Sequence, residues 1–203
     1  MEITAKMVKE LRDRTNVGMM DCKQALTECK GDMEKAIDFL RQKGLATARK
    51  RASRETKDGL VHAYIHPGSK LGVLIEVNCE TDFVAKTDKF QEFVHNLAMH
   101  VAASNPLSID RESVPEAMLA REREILKAQA LDTGKPANIV DKIVEGRLKK
   151  FYQESCLVEQ PFVKDPDKTV QDLINETVAQ LGESIQIRRF VRFMVGEEIE
   201  SGS

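Results

Sequence analysis

Apolar residues recur at i, i+3, i+4 and i+7 in Cys22, Ala25, Leu26 and Cys29, and again in Met33, Ala36, Ile37 and Leu40. That spacing lines one face of an α-helix and cannot line one face of a strand. Gly31 and Gly44 follow the two segments, so each helix is expected to stop there, with Asp32 capping the third. A first helix carries Met7, Val8 and Leu11 on one face behind a capping Thr4, and Thr15-Asn16-Val17-Gly18 breaks it. Three helices this short bury their faces only against each other, which defines a compact module over residues 1–45.

The apolar period weakens over 46–57, where Arg49, Lys50, Arg51, Arg54 and Lys57 form a basic linker with helical character. Such a stretch can grip RNA phosphates or be a solvated linker, and the lack of interleaved aromatics favours the linker. After Asp58-Gly59 the texture changes. Leu60–His66 and Leu71–Cys79 flank Pro67-Gly68-Ser69-Lys70 as the two arms of a hairpin. Helical spacing returns from Phe90 to Val101, over 116–131, 137–152 and 170–181, and a last strand alternates from Ile185 to Val195. The fold class is α+β: a three-helix module, a helical linker, then a core at 58–199 made of a small antiparallel sheet packed with helices, with 200–203 a tail.

Thirty-one basic and 33 acidic side chains nearly cancel in 203 residues. No global field would hold this chain on nucleic acid or an anionic membrane, so neither is expected as a direct partner. No window reaches the ~18 apolar residues of a membrane span, and Met1-Glu2-Ile3-Thr4 does not begin a signal peptide, so the expected location is the cytoplasm. Cys22, Cys29, Cys79 and Cys156 contain no Cys-x-x-Cys pair and read as small buried hydrophobes.

Catalysis needs a nucleophile, a base or a metal site. In a strand His62 and His66 stand roughly 13 Å apart, beyond the reach of one ion. His95 and His100 are five apart on a helix and do not share a face. Neither a phosphate-cradling glycine loop nor Gly-x-Ser-x-Gly is present. The expectation is therefore no catalytic residue, no metal and no cofactor.

Asn78-Cys79-Glu80-Thr81-Asp82-Phe83-Val84-Ala85-Lys86 stands where the second strand ends and a helix begins. It admits two readings. In one, Thr81 or Asp82 caps the helix and Phe83 packs inward. In the other, Phe83 is an apolar anchor for a partner, and Asp82 competes for polar groups in the partner's site. Val17-Gly18-Met19-Met20 is a second candidate surface, because adjacent methionines do not both fit a three-helix core, and Lys23 lies at its edge.

These stretches resemble the bacterial elongation factor Ts family along nearly the whole chain. The match is carried by Val8-Lys9-Glu10-Leu11-Arg12, Gly18-Met19-Met20-Asp21-Cys22-Lys23, Glu76 through Lys86, His100-Val101-Ala102-Ala103-Ser104, Val144-Glu145-Gly146-Arg147 and Gln160-Pro161-Phe162-Val163. The resemblance implies a ubiquitin-associated-like domain in front of a core that docks on the GTPase elongation factor Tu and promotes release of GDP, so that GTP can bind. It implies that Thr81, Asp82, Phe83 and Val84 enter the GTPase and disturb its magnesium. Lys23, His66, Leu181 and Gly182 are the further partner contacts it implies, beside the candidate surface at Met19 and Met20, where packing into the module is the alternative. One hairpin, one Thr-Asp-Phe loop and one closing strand match the short form of the family, in which two chains pair, so a homodimer and a two-plus-two complex are expected.

Overall fold

A computed structural model describes residues 3–132 and 136–198; the expected tail, 200–203, and position 199 lie outside them. The first three helices are α1 (Ala5–Thr15), α2 (Met19–Glu28) and α3 (Met33–Arg51). Thr4 caps α1 by accepting the Met7 N–H at 3.3 Å, and Asp32 caps α3 by accepting the Lys35 N–H at 3.1 Å. Asn16 ends α1 in the left-handed region at φ 54°, a conformation asparagine tolerates better than most residues. Val8, Leu11, Cys22, Ala25, Leu26, Ala36 and Leu40 form the buried cluster between the helices, as the 3.6-residue period requires.

Gly44 does not end the third helix. α3 continues for nearly two more turns to Arg51, and Gly44 is buried within it. A Cβ at position 44 would lie 3.2 Å from Cβ of Ala179, in the helix Val170–Leu181. The glycine is there for close approach of two helices, a role that its place at the end of an apolar period does not reveal.

The remaining elements are β1 (Asp58–Ile65), β2 (Leu71–Cys79), the single turn α4 (Asp82–Ala85), α5 (Asp88–Ser104), α6 (Glu116–Leu131), α7 (Ala137–Ser155), β3 (Pro161–Phe162), β4 (Asp165–Thr169), α8 (Val170–Leu181) and β5 (Ile185–Met194). β1, β2 and β5 form an antiparallel sheet in the order β1-β2-β5, and β3 pairs antiparallel with β4. The α+β class and the leading helical module are as the sequence implies.

The chain divides into two compact units, one of Met1–Val61, Glu76–Val94 and Asp172–Arg188, the other of His62–Ile75, His95–Gln171 and Arg189–Ser203. The first holds the helical module, the end of β2, α4 and most of α8; its further buried residues include Val77, Phe90, Val94, Ile174 and Ile185. In the second, Leu97, Val101, Leu148, Leu157 and Phe162 are buried together with one polar ring, His100. That ring is fully paired. Its Nδ1 accepts the Val163 N–H at 3.2 Å, so Nε2 carries the proton and donates to Oε1 of Gln160 at 2.9 Å.

β5 departs from a simple reading of its alternation. Ile185 and Ile187 are buried, yet Val191 and Phe193, which continue the same alternation in sequence, are exposed, while Phe190 and Arg192 are half-buried. Period two assigns residues to a face and says nothing about whether that face is covered.

Candidate partner-binding site

β2 ends at Cys79, which is fully buried and whose thiol donates to the Thr81 carbonyl at 3.2 Å. Burial, and then the nearby Glu183 charge, push this thiol up to about 11. It is protonated at neutral pH, and a protonated thiol is neither a nucleophile nor a metal ligand. All four cysteines are free thiols, with Cys22, Cys79 and Cys156 buried and Cys29 partly so.

The chain then turns. Thr81 sits in extended backbone, at φ −134° and ψ 154°, and its hydroxyl accepts the Val84 N–H, which starts the single turn α4. A turn of four residues cannot bury every side chain. Ala85 faces inward and is buried, and Phe83 projects outward with 80% of its surface exposed. Thr81 therefore does cap the turn, as one sequence reading holds, but the inward Phe83 of that reading is not found. Asp82 is ion-paired with Lys86 one turn on, Oδ2 to Nζ at 2.6 Å. The Lys86 ammonium holds the Asp82 carboxyl below the usual aspartate range, so it is ionised at neutral pH. Val84 is half-buried beside it.

Groups distant in the chain hold this loop, and Glu183 among them is not singled out by its sequence position. Oε2 of Glu183 accepts the backbone N–H of Glu80 at 3.1 Å and of Thr81 at 3.0 Å, and its Oε1 accepts the Thr81 hydroxyl at 2.6 Å. In return Oε1 of Glu80 accepts the Ser184 N–H at 2.7 Å, the main reason why the Glu80 carboxyl is lowered. Arg51 and Arg54 stand 3.6 and 3.2 Å from the same carboxylate. Part of the basic linker is thus spoken for inside the protein. The signal for Glu183 in the sequence is slight: a Glu-Ser pair between a helix-ending glycine and the last strand.

The other expected contacts fall in two places. Met19 and Met20 are both exposed, Met20 to 77%, at the start of α2, and Lys23 is exposed one turn later. Lys43 braces that end of α2 by donating to Asp21 and Gln24, both at 2.8 Å. Leu181 and Gly182 end α8, Gly182 in the left-handed region at φ 75° with its N–H on the Val178 carbonyl. The next residue, Glu183, binds Thr81, so Leu181 and Gly182 lie in the same unit as the Phe83 loop and are linked to it. His66 belongs to the other unit, exposed at the hairpin end, its Nδ1 2.9 Å from the Tyr64 hydroxyl.

His62 pairs with His95, Nε2 to Nδ1 at 3.0 Å, a partnership that neither strand nor helix spacing reveals. Among the described residues no group of three or more His, Cys, Asp and Glu is placed to hold a metal ion. No described helix is long and apolar enough to cross a membrane.

The family model described as elongation factor TS matches residues 33–197. An elongation factor Ts of Moorella thermoacetica is 68% identical over 197 residues, 97% of each chain. That of Thermoanaerobacter pseudethanolicus is 65% identical over 201 residues, 99% of this chain and 98% of the relative. The elongation factor Ts of Desulfosudis oleivorans is 62% identical over 195 residues, 96% of this chain and 98% of the relative. Matched along its length in this way, the chain belongs to the elongation factor Ts family.

Proposed function

We propose that the chain is the guanine-nucleotide exchange factor of translation elongation factor Tu, a cytoplasmic protein that performs no covalent chemistry. The observation that carries this reading is Phe83, a large aromatic exposed on a turn held by the Thr81 cap and by Glu183, with the ionised Asp82 beside it. An exposed aromatic on a rigid turn binds at little ordering cost. Phe83 enters the GTPase domain beside the nucleotide, and Thr81, Asp82 and Val84 follow it. Displacing the magnesium that bridges the phosphates removes the largest local countercharge, which speeds GDP loss. Burying one aromatic, worth about 2 kcal/mol, changes a rate roughly thirtyfold.

By linkage, a factor that weakens nucleotide binding is itself weakened by nucleotide to the same extent. The chain therefore binds the GDP form, holds the empty GTPase tightly and is expelled when GTP enters. Met19, Met20 and Lys23 make a second contact from the ubiquitin-associated-like module, residues 1–45, with 46–57 as linker and 58–199 as the docking core. Leu181, Gly182 and His66 add further contacts. The RNA-binding alternative loses support because Arg51 and Arg54 already face Glu80.

The chain acts as a homodimer in a two-plus-two complex. An open apolar sheet face supports this: Ile65, Leu74, Phe193 and Val195 are all exposed and line one shallow groove. The dimer contact is then a face of the sheet. The test of the function is release of fluorescent GDP from elongation factor Tu at sub-stoichiometric amounts of this chain. Acceleration by at least about tenfold is expected; release at the spontaneous rate with excess chain refutes the reading.

A further inference from the structure

The Thr81 hydroxyl has one proton and gives it to Glu183, which leaves its lone pairs for the Val84 N–H. One carboxylate thereby sets the direction of the capping hydroxyl, and the hydroxyl sets the first turn of α4. The same carboxylate takes two consecutive backbone N–H groups, those of Glu80 and Thr81, on its other oxygen. Three hydrogen bonds to one carboxylate form a strong, directional hold. The reciprocal bond from the Ser184 N–H to Glu80 closes the arrangement from the opposite side. The residues joined are 102 to 104 positions apart in the chain, so no local propensity maintains this geometry.

Resting on the exchange reading above, we propose that Glu183 is a positioning residue for that exchange. It latches the loop so that Phe83 is presented in its docking direction before the partner arrives. Without the latch, Glu80 to Ala85 would sample many conformations and would have to be ordered during docking, a cost that appears as slower exchange. Glu183 acts through Phe83 and touches neither nucleotide nor magnesium.

The experiment uses the full-length chain with Glu183→Gln and Glu183→Ala, each alone and combined with Phe83→Ala. Amide hydrogen exchange of the free chain is read at Glu80 to Ala85 against β2 and α5, and fluorescent GDP release from elongation factor Tu is read in parallel. Expected are loop amides exchanging at least about tenfold faster in Glu183→Ala with β2 and α5 unchanged, and a smaller effect in the isosteric Glu183→Gln. GDP release should fall about tenfold in Glu183→Ala, and by less than about twofold when Phe83 is already alanine, because the two residues act as one unit. Should Glu183→Ala fail to fold, Glu183→Gln carries the same two comparisons. Wild-type protection of the loop in both variants, or an equal loss of release with and without Phe83, overturns the proposal. Spontaneous-rate release with the unaltered chain would instead refute the exchange reading, which the loop exchange in free protein does not depend on.

Discussion

Phe83 and Phe90 are seven residues apart, and one is 80% exposed while the other is completely buried. The same side chain thus does opposite work on the two sides of one short turn. Phe83→Ala should leave the melting temperature nearly unchanged and slow GDP release by at least about tenfold, from lost burial against the partner. Phe90→Ala should destabilise the fold by about 3–5 kcal/mol, as large core truncations do. Thermal unfolding and GDP release measured on both variants check this. A large fall in melting temperature for Phe83→Ala with normal release would assign Phe83 to the core.

Docking by the helical module is tested at its exposed tip. Met20→Ala and Lys23→Ala should each weaken binding to elongation factor Tu, in the range of about 1–2 kcal/mol for Met20, without changing the circular dichroism of the free chain. Titration calorimetry gives the affinity. Truncation of the module is the poorer test, since α3 meets α8 at Gly44 and Ala179 and its removal would uncover that contact. Wild-type affinity in both point variants would leave this tip without a role in docking.

Stability should fall as the pH is lowered through the histidine range. Burial lowers the His100 pKa from its ordinary 6.5, and Nδ1, the site of a second proton, already accepts the Val163 N–H. The unfolded chain therefore takes up the proton first, and the stabilisation present above about pH 6.5 is lost as the pH falls towards the lower folded value. His62, lowered by burial and then by His95, contributes in the same direction. Urea midpoints between pH 7.5 and pH 5 should decline, and less steeply in His100→Asn. An unchanged slope in that variant would place the titration elsewhere.

The open face of the sheet gives the fourth expectation. Phe193 is 68% exposed and shares its groove with Ile65 and Val195. A charge there, in Phe193→Asp or Ile65→Lys, should convert a dimer to a monomer in multi-angle light scattering at micromolar concentration, with little change in melting temperature of the separated chains. A monomeric mass for the unaltered chain with full exchange activity would remove the argument for pairing.

Much of this was legible in the residues. The i, i+3, i+4, i+7 spacings set the apolar faces of α2 and α3, Thr4 and Asp32 mark the helix starts, and Pro67 to Lys70 mark the hairpin, because each rests on interactions within a few residues. The Thr81 to Val84 loop could be found as a strand-to-helix turn, but whether Phe83 points in or out was undecided. That depends on what surrounds the turn, and only the fold supplies it. The tertiary structure also decided that Gly44 is a point of helix contact and that Phe193 stands on an uncovered face. It brought His62 to His95 and Glu183 to Thr81. Local propensity acts over one turn of helix or a few strand positions, whereas these pairings join groups 33 and 102 residues apart, and long-range packing alone brings them together.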